Sequence, residues 1–383
     1  MFVFIFESKE ESMSAYPRLF SSCRLGPLTL KNRITMAPLF LGYGKPTGEI
    51  SPLLLDHYRE MASSGAAMIV VENAAVDPGG LGSPFTLRID QDSFLAGLKE
   101  LAAIIKGQGA VAAIQINHAG RFAWTTETLA PSAVAAAGKV APRALTGEEI
   151  RELPGKFAAA ALRAKQAGFD LVELHGGTGY LLAQFLSPRT NRREDAYGGS
   201  FDQRLRFPLE VIQAVREALG PEFPVGYRFL ADEWLPDGLQ LGEAREIARR
   251  LAEAGLVYLS VMGGTYESFF LPERKEQERQ QGYMTDLAAA VKSGVDIPVL
   301  TAGRIQEPGF AEALLVAGKA DLIGLARVLL ADPLWPIKAG EGRAAEIVSC
   351  EPTCSLCHRR VMKGQPVICS QWPKEKRERF GEV

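Results

Sequence analysis

Two groups of side chains in this chain are spaced for chemistry. The first is Cys350-x3-Cys354-x2-Cys357-x11-Cys369. Four thiolates at such spacing can hold tetrahedral zinc or an iron–sulfur cube. Structural zinc favours two separated C-x2-C knuckles. Three crowded cysteines with a remote fourth suit a 4Fe-4S cluster better, with zinc as the alternative. A secreted disulfide framework would spread its cysteines through the chain. The fifth, Cys23, stands alone and reads as a small buried hydrophobe. The second group is the run Glu173-Leu174-His175-Gly176-Gly177-Thr178-Gly179-Tyr180. It sets His175, Thr178 and Tyr180 on a glycine-rich turn, where small neighbours admit a ligand. A tyrosine there can deliver a proton. The bland alternative packs Tyr180 with its hydroxyl in water.

Other polar residues end apolar runs. Gln115 offers an amide donor and acceptor together. Arg228 lies inside Val225-Gly226-Tyr227-Arg228-Phe229, where a permanent charge needs an anionic partner. That partner is either a ligand or a carboxylate such as Asp232 or Glu233. Ala302-Gly303-Arg304 and Ala326-Arg327 combine close backbone approach with charge-assisted donors, which suits a phosphate. A helix cap is the alternative for Arg327. A flavin would offer three things for such groups to bind: a phosphate, a pyrimidine edge and a flat ring.

The elements that must position these groups are legible as a pattern. Eight short apolar runs span 33–39, 67–72, 111–116, 170–174, 224–229, 257–261, 297–301 and 321–325. Such near-continuous apolarity marks strands buried on both faces. Amphipathic stretches at 93–107, 146–168, 201–219, 241–255, 285–294 and 307–318 alternate with them as helices. The pattern predicts an α/β fold, a (β/α)8 TIM barrel with a short C-terminal cysteine-rich metal-cluster segment. An open doubly wound sheet would carry a GxGxxG turn after an early strand, and none is present. In a barrel, chemistry belongs at the C-terminal strand ends, where the residues above fall. The expected division is an extension at 1–16, a barrel at 17–340, and a cluster segment with a solvated charged tail at 341–383.

Composition excludes several classes of function. With 43 basic and 45 acidic residues, the net charge of −2 supplies no field for nucleic acid or an anionic membrane. No apolar run reaches the roughly 20 residues that span a bilayer. The start, Met1-Phe2-Val3-Phe4-Ile5-Phe6, turns acidic at Glu7 and lacks the basic opening of a secretory signal. Met13 is a second candidate start. A cytoplasmic protein is expected.

Four runs carry a resemblance. They are Asn32-Arg33-Ile34-Thr35-Met36-Ala37-Pro38-Leu39, Gln115-Ile116-Asn117-His118-Ala119-Gly120-Arg121, Gly179-Tyr180-Leu181-Leu182-Ala183-Gln184-Phe185-Leu186-Ser187-Pro188, and Asn191-Arg192-Arg193-Glu194-Asp195-Ala196-Tyr197-Gly198-Gly199-Ser200. On these the chain resembles the Old Yellow Enzyme family of NADH:flavin oxidoreductases, over residues 17–372. The resemblance implies one FMN lined by Ala37, Pro38, Leu39 and Asn73. It implies Gln115 at the pyrimidine edge and Arg228 at the N1–C2=O side. Gly303, Arg304, Ala326 and Arg327 would hold the phosphate. It further implies reduction by NAD(P)H and hydride transfer to an activated C=C bond, with Tyr180 as proton donor. His175 and Thr178 occupy the positions of the pair that polarises the substrate carbonyl. That pair is usually His with His or Asn, so Thr178 is a departure. Substrate polarisation then rests on His175, or on Tyr266, which takes a second-acid position. Arg189 matches a residue on the substrate side.

The cysteine spacing resembles the branch containing 2,4-dienoyl-CoA reductase and trimethylamine dehydrogenase, which carries a 4Fe-4S cluster after the barrel. The first gap is one residue longer than usual. Members of that branch continue for several hundred residues, whereas this chain stops at Val383. Electrons then arrive from a separate electron-donor protein or directly from NAD(P)H. An amine-type dehydrogenase is the competing activity, for which Phe40, Tyr43, Trp124 and Tyr266 would form an aromatic bowl. An electron-transfer subunit is a third reading. A closed homo-oligomer is the expected assembly.

Overall fold

A computed structural model describes residues 15–269 and 271–381. Eight parallel strands close into a barrel. They are β1 (Ile34–Met36), β2 (Met68–Ala75), β3 (Val111–Asn117), β4 (Leu171–Gly176), β5 (Val225–Asp232), β6 (Tyr258–Gly263), β7 (Val299–Thr301) and β8 (Leu322–Leu325). Each pairs with the next, and β1 pairs with both β2 and β8, which removes any free edge. All eight expected strands are present. The extension at 1–16 and the alternative start at Met13 fall almost wholly outside the described residues.

The helices form where local signals agree with the apolar stripe. α1 (Pro52–Ala62) starts with Ser51 capping the Leu54 N–H and proline in its first turn. α2 is Leu95–Lys106. α3 (Gly147–Gln166) opens with a reciprocal box between Thr146 and Glu149. α4 (Phe201–Leu219) repeats that device with Ser200 and Gln203. α5 (Leu241–Glu253), α6 (Thr285–Lys292) and α7 (Pro308–Val316) complete the expected set. α1 was missing from the sequence expectation.

Alternate strand positions divide two cores. Ile69, Val71, Ile114, Val172 and Leu174 face the helices, whereas Met68, Val70, Ala113, Leu171 and Tyr258 fill the barrel. A hairpin of Cys23–Leu25 and Leu28–Leu30 adds Cys23, Leu25 and Leu30 to that interior cluster. Cys23 is thus the buried hydrophobe its surroundings suggested. In β2 the register slips between Val71 and Ala74, a bulge that re-aims Glu72 and Asn73.

The end of the chain requires a correction. Its charged tail, expected to be solvated, forms helix α8 (Lys374–Gly381) as far as it is described. Phe380 is buried against Tyr43 and Trp372, with ring centroids 5.3 and 5.2 Å away. Lys376 bonds Glu60 and Arg379 pairs with Asp56, both on α1. One buried phenylalanine among charges carries too little periodicity to announce a docked helix.

Candidate active site

The C-terminal strand ends open into a cavity of about 290 Å³. Its walls include Pro38, Leu39, Asn73, Gln115, His175, Thr178, Tyr180, Arg228, Tyr266 and Arg327. Ten sequence-derived candidates therefore meet in one place. Ala37, Arg189, Gly303, Arg304 and Ala326 are not in that lining. The Arg304 guanidinium instead donates to the Glu278 carbonyl at 2.9 Å and reaches the Cys350 carbonyl at 3.4 Å. Arg189 pairs with Asp237 at 2.6 Å and with Glu267 at 3.5 Å.

Register explains the cavity floor. Gln115, Glu173, Gly226 and Tyr258 share one rung across β3, β4, β5 and β6. His175, Arg228 and Ser260 form the next rung on the same face, two residues nearer the cavity. In the lower rung Gln115 Nε2 donates to Glu173 Oε1 at 2.7 Å, and the Tyr258 hydroxyl donates to Glu173 Oε2 at 2.6 Å. A Cβ on Gly226 would fall 1.9 Å from the Tyr258 ring, so only glycine lets that ring cross β5 to reach Glu173. In the upper rung Arg228 donates to Ser260 Oγ at 3.1 Å. Neither expected carboxylate partners Arg228 here. Asp232 accepts from the Trp234 N–H at 2.7 Å, and Glu233 feels Arg121 and Arg189.

Sequence reasoning passed over Glu173, although an acid inside an apolar strand is the same signal that singled out Arg228. It also passed over Phe269, Glu278 and Tyr283, which join the cavity wall from turns, whereas His358 joins it from the short helix Leu356–Met362. Of the expected aromatic bowl, Phe40 and Tyr266 line the cavity. Tyr43 is buried elsewhere, with its hydroxyl on the Val367 carbonyl. Trp124 is 66% exposed.

The polar groups on the upper wall have definite states. Burial, then the charge of Arg228, holds His175 well below the usual imidazole range, so its ring is neutral. Its Nδ1 accepts from the Gly177 N–H at 3.2 Å. The ring proton therefore sits on Nε2, which makes Nε2 a donor. Burial, then Tyr266, pushes the Tyr180 phenol well above its ordinary value, so the proton is retained. The Tyr180 and Tyr266 hydroxyls share a 2.9 Å hydrogen bond. Thr178 adopts a left-handed φ of 59°, strained for a β-branched residue. Its hydroxyl is spent on the Met262 sulfur at 3.6 Å.

All four clustered cysteines line a second, small cavity with Arg327, Leu330, Ile368 and Ser370. Arg327 and Cys357 belong to both linings, so the two cavities share a wall. Among the described residues, no three His, Cys, Asp or Glu side chains form a group that could hold a metal ion. No described helix is long and apolar enough to cross a membrane.

A parallel (β/α)8 barrel with a neutral histidine, a protonated tyrosine and a half-buried arginine at its mouth defines the class of FMN-type oxidoreductase barrels. The chain belongs to the NADH:flavin oxidoreductase / NADH oxidase family, whose model matches residues 18–346. It is 44% identical over 377 residues to an NADH oxidase of Thermoanaerobacter brockii, covering 96% of this chain and 57% of that protein. It is 37% identical over 324 residues to an NADPH dehydrogenase of Halalkalibacterium halodurans, covering 84% and 94% respectively. A solved 2-naphthoyl-CoA reductase complex superposes with a TM-score of 0.89 at 29% identity, covering 94% of this chain and 57% of that one. The chain thus spans little more than half the length of some relatives it matches.

Proposed function

We propose that this chain reduces an activated C=C bond of an enone, enoate or enoyl thioester, with NAD(P)H as the source of electrons. The observation that carries the reading is the protonated Tyr180 beside neutral His175 on one cavity wall. FMN, where bound in the cavity, would supply the hydride chemistry. Gln115 suits the pyrimidine edge, Arg228 the N1–C2=O side, and Asn73, Pro38 and Leu39 the ring. The backbone at Ala37 suits the flavin, and that at Gly303 and Ala326, with Arg327, suits the phosphate. Arg304 braces that corner from the cysteine side.

The chain's own residues supply the rest. His175 Nε2–H donates to the substrate carbonyl and stabilises enolate-like charge. Tyr180 delivers the proton to the α-carbon, and Tyr266, bonded to it, restores that proton. Thr178 shapes the turn, because its hydroxyl is already engaged. Arg189 acts at the outer substrate side through its pairing with Asp237 and Glu267.

The cysteine cavity fits a 4Fe-4S cluster held by Cys350, Cys354, Cys357 and Cys369. Four soft donors line that one space, and their spacing, three crowded and one remote, supports a cube over a single zinc. Beside the wall shared at Arg327 and Cys357, such a cluster would supply one-electron exchange with a separate donor protein.

The test is anaerobic. Holoprotein with reduced flavin is mixed with an enone or an enoyl-CoA ester, and flavin reoxidation is followed alongside iron and zinc analysis. Rapid reoxidation with saturated product is expected, with about four irons per chain by the stoichiometry of the cube. Reoxidation by neither acceptor sinks the reductase reading. Reduction of the oxidised flavin by an amine would favour the dehydrogenase instead.

A further inference from the structure

Beneath the proposed flavin site lies a carboxylate that the reaction does not use. Glu173 is 1% exposed at the centre of the lower rung. Its two oxygens each accept one hydrogen bond, from the Gln115 amide and the Tyr258 hydroxyl. Both contacts are donors, which favours the ionised form. Burial pushes the Glu173 carboxyl up, and Arg228, one rung above, with the Tyr258 and Gln115 donors, opposes that shift and favours the charge.

The consequences reach the cavity. An amide that donates through Nε2 to Glu173 has its Oε1 free. Gln115 lines the cavity, so that oxygen can meet an N–H donor there. A glutamine without this anchor could present either end. Glu173 also places a negative charge below the spot where two-electron reduction of a flavin accumulates negative charge. Like charges in a buried setting oppose one another strongly. Gly226 is the structural sign that the arrangement is specific, since its missing side chain lets Tyr258 reach Glu173.

We infer that Glu173 is a positioning residue that orients Gln115 towards FMN and, with its charge set against Arg228, holds the flavin's reduction potential down. This rests on the FMN site proposed above. Tyr258 completes the device by steadying the carboxylate.

The experiment compares wild-type holoprotein with Glu173→Gln and Tyr258→Phe. Two quantities are read: the FMN midpoint potential by equilibrium dye titration, and FMN affinity by fluorescence on rebinding to apoprotein. Glu173→Gln should move the potential positive and weaken FMN binding about tenfold, the scale of one well-made hydrogen bond to a charged group. Tyr258→Phe keeps the ring and the charge, so it should move both quantities the same way by less. Wild-type potential and affinity in both variants would overturn the inference. Weaker binding at an unchanged potential overturns the charge-setting role. If Glu173→Gln does not fold, Tyr258→Phe decides, and wild-type values there reject the inference. A wild-type protein that binds no FMN refutes the underlying site instead, and the inference with it.

Discussion

The barrel mouth and the cysteine segment bear adjoining cavities but are built differently. At the mouth, polar side chains project from strand ends held by parallel ladders, with a second hydrogen-bonded rung beneath them. The site is thus organised by its scaffold. The cysteines occupy mostly irregular chain, with one short helix at Leu356–Met362. That chain is fastened at intervals: Val367 N–H to Leu41 O at 2.8 Å, Trp372 Nε1 to Leu330 O at 2.6 Å, and the buried Phe380. Preorganisation by strands costs little when a ligand arrives, whereas a segment held by a few anchors depends on each of them.

The largest expected effect breaks the mouth chemically while sparing its structure. Tyr180→Phe should slow flavin reoxidation by an enone about 100- to 10,000-fold, the usual worth of a positioned acid. Flavin reduction by NAD(P)H should stay at the wild-type rate, which stopped-flow absorbance resolves. Equal losses in both half-reactions would show that the substitution damaged the scaffold.

Phe380→Ala should do the reverse. Loss of a buried aromatic anchor costs about 3 kcal/mol or more. The damage should concentrate at the cysteine end, so limited proteolysis should cut within residues 363–381 before the barrel opens. Cleavage spread evenly through the barrel would erase the contrast between the regions.

A pH test addresses the support behind the mouth. Burial pushes the Glu233 carboxyl up to about 7, against the lowering influence of Ser187, Arg121 and Arg189. A raised carboxyl favours the folded state while protonated. Its contribution is complete below the unfolded value near 4.5 and is lost as pH rises through about 7. The span is on the order of 3 kcal/mol. Urea unfolding of Glu233→Gln at a series of pH values should flatten that slope, and an unchanged slope would remove Glu233 as its source.

Thr178→Gly should give the smallest change. Relief of the left-handed strain raises stability by about 1 kcal/mol at most. If Thr178 only shapes the turn, enone reduction should change little. A large loss of rate would return its hydroxyl to the chemistry.

Much of this site was legible because barrel residues carry two independent signals. Gln115, His175, Arg228 and Arg327 are polar where an apolar run ends or is interrupted, and each reaches the cavity. Glu173 carried the same signal, but its role depends on partners 58 and 85 residues away. Arg304 shows the opposite limit. Its spacing suited a phosphate, yet a backbone φ of 53° goes with a side chain directed at Cys350.

The sequence by itself determined the barrel, its strand count and the clustering of cysteines. Those follow from local patterning and chain spacing, which burial on both strand faces enforces. Tertiary structure alone decided which side chains share a rung, that Tyr258 crosses Gly226 to reach Glu173, and that the charged tail docks as a helix. Those facts depend on strand register and on distances between residues far apart in the chain, which no local pattern encodes.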